Sequence, residues 1–391
     1  MKNCAVIGLG PAGLMVASVL ADAGLSVTLF EKKRTPKKLL IAGRSGLNIT
    51  NGCDETEFPK FYGHHSDFMK NILAQFSREE WLKFIASLGI KTFLGTSRRY
   101  FVEGMKASKL LRAWLNKLKN QGVQLSRNHE LADFSALPDG RIQLNFTNGF
   151  SQIFDAVCLC LGGGSYEKNE QPLRWVELLK SKGIGFVDFR ASNVGYEVKW
   201  PAEFLLEAEG KPLKNVKLTT PKGALVGDLL ITHYGLEGTP VYTLGVVGES
   251  CLDLKPDQSK EVLLKKISPS QTKRSPFHLV KKYLNLCPAS LSLLFHYRHL
   301  ADFKNPEKIV ELIKQFPLVL ENPRPLDEAI SSAGGVKLTE INEHLMLKKM
   351  PGVFMAGEML DWDAPTGGFL IQACVSQGYV AGSGMLDFFH E

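Results

Sequence analysis

The sequence lacks a hydrophobic run long enough to cross a membrane, and this absence favours a soluble protein. A membrane-spanning helix needs about 20 consecutive, mostly apolar residues. The apolar stretches of this 391-residue chain are all broken by polar residues before that length. Lys2 and Asn3 lead directly into a short apolar segment, which is not the layout of a secretory signal peptide. We therefore expect a cytoplasmic protein with no membrane partner.

Cysteine is too sparse and too irregularly placed to build a disulfide framework or a metal centre. The seven cysteines are scattered along the chain, and their number is odd. Cys158 and Cys160 lie two residues apart, a spacing that suits neither a zinc knuckle nor a Cys-x-x-Cys redox pair. No histidine pair has further ligand-type residues at metal-binding spacing. We predict buried thiols and no bound metal.

The net positive charge of the chain equals the excess of cations over carboxylates in one segment. The chain contains 47 Lys and Arg residues against 40 Asp and Glu residues. Residues 255–314 hold 12 of these cations and 5 of the carboxylates, so the whole positive excess of the chain lies there. Such a segment is compatible with an anionic partner such as RNA and, more simply, with a solvated helical surface.

The first thirty residues predict two buried strands joined by a helix. Cys4–Gly8 and Val27–Phe30 have the continuous apolar composition of buried strands, and Pro11–Ala23 has helical periodicity. Between the first strand and the helix stands Gly8-Leu9-Gly10-Pro11-Ala12-Gly13, which is a G-x-G-x-x-G motif. This strand–turn–helix context is the one in which the motif binds a dinucleotide.

Each conspicuous residue of this unit has a physical role in dinucleotide binding. Gly8 permits a tight turn, Gly10 has no Cβ to obstruct a pyrophosphate, and Gly13 allows the helix to pack closely on the strand. The start of the helix offers free N–H groups and the positive end of its dipole to phosphates. Glu31, at the end of the second strand, is suited to accept hydrogen bonds from the hydroxyls of the adenosine ribose.

Later glycine turns indicate FAD as the dinucleotide. The apolar run 353–356 is followed by Gly357 and Glu358, a pattern that flavoproteins use to reach the ribityl chain and the pyrophosphate. Residues 366–369 then open the last helix, whose start can stabilise negative charge on a reduced flavin. Residues 161–165 form a third glycine turn after an apolar strand and would bring backbone close to the cofactor.

The local composition of the chain predicts one nucleotide-binding domain that is built from both chain ends. Residues 1–185 and 323–391 contain the glycine turns. Residues 186–254 are rich in short β-like runs broken by Gly and Pro, and residues 255–322 are rich in Leu and Lys and are expected to be helical. We therefore predict a two-part insertion between the two halves of the nucleotide-binding domain.

The sequence resembles the bacterial two-dinucleotide-binding flavoproteins of the aminoacetone-oxidase-like and BaiN-like NAD(P)/FAD-dependent oxidoreductase family, and it looks like a side branch of that family. The resemblance runs nearly end to end. It is carried by residues 8–13, 38–40, 42–51, 161–165, 327–336 and 356–361.

The resemblance implies a fold, a cofactor and a set of site residues. The fold would be α/β, with a glutathione-reductase-type FAD-binding Rossmann domain, an inserted β-barrel-like domain and a helical subdomain. The family pattern implies that Lys38, Gly43, Arg44, Asn48 and Thr50 line the flavin and its diphosphate. It also implies that Leu131 contacts the adenine through its backbone and that Gly357, Glu358, Gly368 and Phe369 close the site. The full set of expected cofactor contacts is Gly8, Gly10, Pro11, Ala12, Gly13, Glu31, Lys32, Lys38, Leu39, Gly43, Arg44, Asn48, Thr50, Leu131, Leu161, Gly162, Gly163, Gly357, Glu358, Gly368 and Phe369.

The chain departs from the family pattern at two places. Many relatives have a cysteine where this chain has Leu47, so one thiol that could stand beside the flavin is missing. Residues 167–172 are polar where relatives often continue into a second glycine-rich segment, which argues against a second nucleotide contact. NAD(P)H is therefore expected, if at all, as a transient electron donor.

Three functions agree with these features. The first is an FAD-dependent oxidoreductase, reduced by NAD(P)H, that acts on a small organic substrate. The second is a flavin-dependent reductase that modifies a base of rRNA or tRNA and grips the RNA through residues 255–314. The third is a flavin-binding protein without turnover. The catalytic candidates are Arg44, Asn48 and Lys106, while Tyr196 and Trp200 are either a substrate wall or core residues.

Overall fold

The computed structural model describes residues 2–42, 46–95, 97–166, 173–268 and 275–390. The chain divides into two compact units, one of residues 1–190 and 330–391 and the other of residues 191–329. We call them the terminal unit and the inserted unit. The boundaries expected from the sequence were 185/186 and 322/323, with a further division of the insertion at residue 254.

The described residues form nineteen strands and thirteen α-helices. The strands are β1 (Asn3–Ile7), β2 (Ser26–Glu31), β3 (Asn48–Asn51), β4 (Thr92–Leu94), β5 (Arg99–Val102), β6 (Gln124–Arg127), β7 (Leu131–Ala136), β8 (Ile142–Phe146), β9 (Ser151–Phe154), β10 (Ala156–Leu159), β11 (Phe186–Ser192), β12 (Tyr196–Glu197), β13 (Pro212–Thr220), β14 (Gly223–Ile231), β15 (Gly235–Glu237), β16 (Gly248–Asp253), β17 (Phe316–Leu320), β18 (Ser331–Val336) and β19 (Val353–Met355). The helices are α1 (Pro11–Asp22), α2 (Lys37–Ala42), α3 (Ser66–Gln75), α4 (Arg78–Ser87), α5 (Ala107–Asn120), α6 (Arg174–Ser181), α7 (Ala202–Ala208), α8 (Thr239–Leu244), α9 (Lys260–Ile267), α10 (Pro276–Tyr283), α11 (Pro288–His296), α12 (Pro306–Lys314) and α13 (Phe369–Phe388).

A five-stranded parallel sheet forms the centre of the terminal unit, in the order β19-β10-β1-β2-β6. The inner strands carry apolar residues on both faces because helices and loops cover both faces of such a sheet. Cys4, Ala5 and Val6 of β1 are accordingly fully buried. Since the strands are parallel, β1, β10 and β19 all end at the same edge of the sheet. The predicted Rossmann-type α/β fold is confirmed.

Helix α13 packs tightly along α1, and small residues make this possible. A Cβ placed on Gly378 would collide with the carbonyl oxygen of Ala12, and one on Gly382 would lie 2.8 Å from the Cβ of Val19. Most of α1 is buried, which explains why it is apolar around most of its circumference. The two ends of the chain are thereby joined in one core.

The inserted unit is built on a six-stranded antiparallel sheet, in the order β12-β15-β14-β13-β16-β17. Backbone hydrogen bonds link Glu197 in the first of these strands to Asn322, and Glu321 to Glu197, so the sheet closes on itself. This closure gives the expected barrel-like form. Strand β17 follows the basic helices α9–α12 and pairs with β16, so both parts of the predicted insertion share one sheet. The sequence analysis did not predict this strand, because the run Phe316–Leu320 is short and contains Pro317.

Candidate functional site

A cavity of about 590 Å³ opens at the edge of the central sheet where β1, β10 and β19 end. Ligand pockets commonly have volumes of about 300–1,000 Å³. Open parallel sheets bind their ligands at this edge. The residues that line the cavity are Ile7, Gly8, Leu9, Gly10, Pro11, Ala12, Glu31, Lys32, Lys33, Thr35, Pro36, Lys38, Leu39, His129, Glu130, Leu131, Cys160, Leu161, Gly162, Leu173, Arg174, Trp175, Ala356, Gly357, Glu358 and Cys374.

The glycines of the first turn differ in what surrounds them. Gly8 has a φ of +115°, and a Cβ there would strike the carbonyl oxygen of Cys160. A Cβ on Gly13 would strike the carbonyl of Gly8 and lie 3.3 Å from Val6, so Gly13 serves the contact between helix and strand. A Cβ on Gly10 would meet no described atom within 4 Å. The missing side chain of Gly10 therefore leaves free space at the cavity, where a pyrophosphate fits.

Glu31 lines the cavity and is fixed there by backbone donors. One carboxylate oxygen accepts from the backbone N–H of Leu9 at 3.0 Å, and the other accepts from that of Lys33 at 2.9 Å. Each carboxylate oxygen has a second lone pair. The carboxylate is thus oriented by the turn itself and retains acceptor capacity for ribose hydroxyls.

Lys38 and Glu358 both line the cavity, and the charge of Lys38 acts on Glu358. The Lys38 ammonium group donates to the carbonyl oxygen of Gly163 at 2.6 Å. Burial raises the pKa of Glu358 above its ordinary value of 4.5, the charge of Lys38 opposes this shift, and the carboxylate of Asp363 adds to it. A cation and an acid of this kind can bind one phosphate and one hydroxyl of a nucleotide side by side.

The peptide groups of Gly357 are held by two buried side chains. The N–H of Gly357 donates to the side-chain carbonyl of Gln377 at 2.8 Å, and Trp362 donates from its indole N–H to the Gly357 carbonyl at 3.0 Å. Gly357 has a φ of +91°, which disfavours any other residue. The backbone at the end of β19 is therefore rigid, as a turn that binds a ligand requires.

A second group of predicted residues lies where β3 meets the start of α13. Gly368 has a φ of +102° and sits directly against the backbone of Thr50, where a Cβ would not fit. Asn51 donates from its side-chain amide to the Gly367 carbonyl at 3.0 Å. The Tyr62 hydroxyl donates to the carbonyl of Phe369 at 2.8 Å. The first turn of α13 is thereby fixed on β3.

Three buried polar atoms of this second group have no hydrogen-bond partner among the described residues. They are Asn48 Oδ1, Thr50 Oγ1 and Gln372 Oε1. Buried polar groups are almost always hydrogen-bonded in native proteins. Each of the three atoms can therefore still accept from a donor that the described residues do not supply.

The structure brings most of the predicted residues to these two places. The predicted residues at the cavity are Gly8, Gly10, Pro11, Ala12, Glu31, Lys32, Lys38, Leu39, Leu131, Leu161, Gly162, Gly357 and Glu358. Gly13 and Gly163 lie behind its wall, and Asn48, Thr50, Gly368 and Phe369 form the second group. Gly43, Arg44 and the segment 167–172 lie outside the described residues.

Three residues considered as catalytic or substrate-contacting do not line the cavity. Lys106 is the exposed N-cap residue of α5 and does not line the cavity. In the inserted unit, Tyr196 donates from its hydroxyl to the Gly245 carbonyl at 3.0 Å, and Trp200 donates to the Gly235 carbonyl at 3.1 Å. Both aromatic rings pack against the core of that unit.

The structure also adds residues that the sequence did not reveal. His129, Glu130 and Trp175 line the cavity from loops and a helix that carry no motif. Cys160 and Cys374 line it as well, and burial raises the pKa of both thiols, which keeps them protonated. Only Cys160 could have been found, because it directly precedes the glycine turn at residue 161.

Residues 2–384 match the family described as HI0933-like protein Rossmann domain. The chain belongs to this family. The resemblance found in the sequence is confirmed, and the match runs from the first strand into the last helix.

Curated relatives span nearly the whole chain. The chain is 24% identical over 420 residues to the 3-dehydro-bile acid delta(4,6)-reductase of Clostridium scindens, with 98% of each chain covered. It is 24% identical over 396 residues to the ribosomal RNA dihydrouridine synthase of Haemophilus influenzae, with 96% of each chain covered.

Solved structures share the fold. A flavocytochrome c3 fumarate reductase matches with a TM-score of 0.55 and 15% identity, over 100% of this chain and 79% of the other. The 3-ketosteroid-delta4-(5alpha)-dehydrogenase of Rhodococcus jostii matches with a TM-score of 0.50 and 13% identity, over 98% and 96% of the two chains.

Family membership, the fold and the glycine-lined cavity together identify the chain as an FAD-dependent oxidoreductase of the HI0933-like family. FAD supplies the redox chemistry when it is bound, and the protein's own residues hold and orient it. In the part of the chain that the structure describes, no helix is long and apolar enough to cross a bilayer. The same residues contain no group of three or more His, Cys, Asp or Glu residues that could hold a metal ion.

Substitutions of Gly10 and Gly13 should abolish flavin binding for different reasons. Gly10→Val fills the cavity without touching described protein atoms, so the variant should be colourless but fold with the melting temperature of the wild-type apoprotein. Gly13→Val forces helix and strand apart and should lower that temperature by several degrees, since overpacking costs about 1–3 kcal/mol. Visible absorbance and thermal unfolding of the apoproteins test both outcomes. A Gly10→Val variant that retains FAD would refute the assigned role.

The raised pKa of Glu358 predicts a pH-dependent gain in stability for Glu358→Gln. Between pH 4.5 and the raised pKa, the folded apoprotein binds more protons than the unfolded chain, so its stability falls as pH rises. Glutamine cannot ionise, so the variant does not lose this stability as the pH rises. The variant apoprotein should melt above wild type at about pH 8, and the difference should shrink towards pH 4.5. The exposed Glu343→Gln is the control. A lower melting temperature for Glu358→Gln at pH 8 would contradict the assignment.

Proposed function

We propose that this protein takes electrons from NAD(P)H and reduces a carbon–carbon double bond of a small organic substrate. The overall reaction consumes NAD(P)H, one proton and the unsaturated compound, and yields NAD(P)⁺ and the saturated compound. The observation that carries the proposal is the pair of curated relatives, a delta(4,6)-reductase and a dihydrouridine synthase. Both names denote the addition of hydrogen to a double bond.

The second group of site residues supports a flat, largely apolar substrate with a polar edge. The ring of Phe61 is 42% exposed and stacks on that of Phe369, with ring centroids 4.3 Å apart. Phe369 begins the helix that follows the Gly367–Gly368 turn. Asn48, on the neighbouring strand, contributes an unpartnered amide oxygen. An aromatic surface beside polar groups is the arrangement that small-molecule sites use for orientation.

The electron donor is proposed to bind transiently. The sequence contains one G-x-G-x-x-G motif between a strand and a helix, and the cavity beside it is assigned to FAD. NAD(P)H would then approach the flavin directly and leave after reducing it.

The test is anaerobic reduction of the purified holoprotein by NADH and by NADPH, followed by a panel of α,β-unsaturated ketones. We expect bleaching of the flavin absorbance, reoxidation by at least one acceptor, and a product two mass units heavier. Asn48→Ala should lower the turnover rate roughly fivefold, because a hydrogen bond to a ligand contributes about 1 kcal/mol. Asn71→Ala, on the exposed face of α3, is the matched control. If only dioxygen reoxidises the flavin, the proposed reaction is wrong.

An RNA base is the second candidate substrate, favoured by the surface of the inserted unit. Lys281, Lys282 and Arg298 lie over the rings of Phe277, Tyr283 and Phe295 at 5.2, 5.0 and 4.5 Å. Tyr283 and Phe295 are 47% and 42% exposed. Cations interleaved with exposed aromatic rings are typical of surfaces that bind single-stranded nucleic acid.

Charge reversal of four lysines separates this candidate from the first. The variant carries Lys265→Glu, Lys266→Glu, Lys281→Glu and Lys282→Glu. Lys273 and Arg274 are also expected to bind RNA, but they lie outside the described residues. If RNA is the substrate, binding of ribosomal RNA fragments should fall at least tenfold and lose most of its salt dependence. The matched control reverses Lys60, Lys70, Lys83 and Lys109, all exposed in the terminal unit. Equal binding by both variants would exclude this surface as the RNA site.

A further inference from the structure

A second cavity of about 610 Å³ lies in the terminal unit, between α5, α2 and the edge strand β6. We call it the α5 groove. It shares no lining residue with the FAD cavity. Its walls are largely aliphatic, and the apolar residues that line it are Leu29, Leu40, Leu111, Leu115, Leu118, Val123 and Leu125.

The polar residues of the groove are all neutral or positively charged. They are Ser108, Arg112, Asn116, Lys119 and Arg127, and no Asp or Glu is among the described lining residues. Arg112, Lys119 and Arg127 are exposed. Strand pairing places Glu31 opposite Arg127, but both carboxylate oxygens of Glu31 accept from backbone N–H groups at the FAD cavity.

The spacing along α5 separates these two kinds of residues into adjacent stripes. Leu111, Leu115 and Leu118 follow the spacing of one helical face and contribute to the aliphatic wall. Arg112 and Lys119 are seven residues apart, so they lie on the neighbouring face, along the same side of the groove. The groove therefore combines an aliphatic wall with three cations, and its described lining residues include no Asp or Glu.

We propose that the α5 groove binds an amphipathic anion, a molecule with one flexible hydrocarbon tail and one carboxylate head. The tail removes apolar surface of the groove from water, and the head meets the field of three cations. The volume lies in the range of small-molecule sites, about 300–1,000 Å³. A stable protein partner needs about 800 Å² on each side, which is more than a single groove offers.

The test is calorimetric titration of the FAD-loaded protein with sodium tetradecanoate below its micellar concentration. The bound FAD occupies the first cavity, so binding there is excluded. We expect saturable binding that weakens roughly tenfold in Arg112→Glu/Arg127→Glu, since each lost attraction is worth a few-fold and repulsion is added. Lys70→Glu/Lys83→Glu, with the same charge change on α3 and α4, should bind as wild type does. Uncharged tetradecanol should bind less tightly than tetradecanoate.

A filling variant tests the apolar part of the proposal. Leu115→Trp places a larger side chain in the groove at a partly exposed position, so it should abolish binding while flavin absorbance and melting temperature stay near wild type. Failure of the wild-type protein to bind tetradecanoate would overturn the proposal. Binding that survives both the charge reversal and Leu115→Trp would overturn it equally, because the ligand would then sit elsewhere.

Discussion

The site depends on the close approach of main chains from distant parts of the sequence around Ala12. Gly8 packs against the carbonyl of Cys160, Gly13 against that of Gly8, and Gly378 against that of Ala12. None of these contacts tolerates a Cβ. These contacts therefore hold four segments together through their main chains. The segments are the end of β1, the start of α1, the end of β10 and the middle of α13. This backbone contact forms the floor of the FAD cavity and joins the two chain ends in one unit.

The charges of the site follow from the same arrangement. Parallel strands that end at one edge bring the start of α1, the Gly163 turn and the Gly357 turn close together, so backbone groups and cations, among them Lys38, line the same space. Burial of Glu358 beside Lys38 raises the pKa of the acid, which costs stability in the apoprotein at neutral pH. Preorganisation of this kind is common at ligand sites, because groups held ready for a ligand are imperfectly satisfied without it.

The glycine turns of the site could be predicted from the sequence, whereas the residues that reach the cavity through tertiary packing could not. The first turn and the turns at residues 161 and 357 were predictable, because glycine after a buried strand has a local physical reason. His129 and Trp175 reach the cavity only through the path of loops, which leaves no periodic or spacing signal. The role of Lys106 could not be decided from the sequence either, because a lysine before a helix gives the same pattern whether it faces a site or solvent. Strand β17 was missed because one short, proline-containing run is a weak strand signal.

A division of labour between backbone and side chains explains how one family can include reductases of unlike substrates. Recognition of the diphosphate uses N–H groups, helix ends and missing Cβ atoms, so it survives wide sequence change, and relatives only 24% identical match over nearly their full lengths. Side chains such as Asn48 and Phe61, at which we propose that the substrate binds, can change without disturbing the glycine contacts. A bile-acid reductase and an RNA-modifying enzyme can therefore share a cofactor site while their substrate-facing surfaces diverge. The unlike substrates named for the two relatives therefore agree with a fold that backbone contacts preserve while the side chains around it vary.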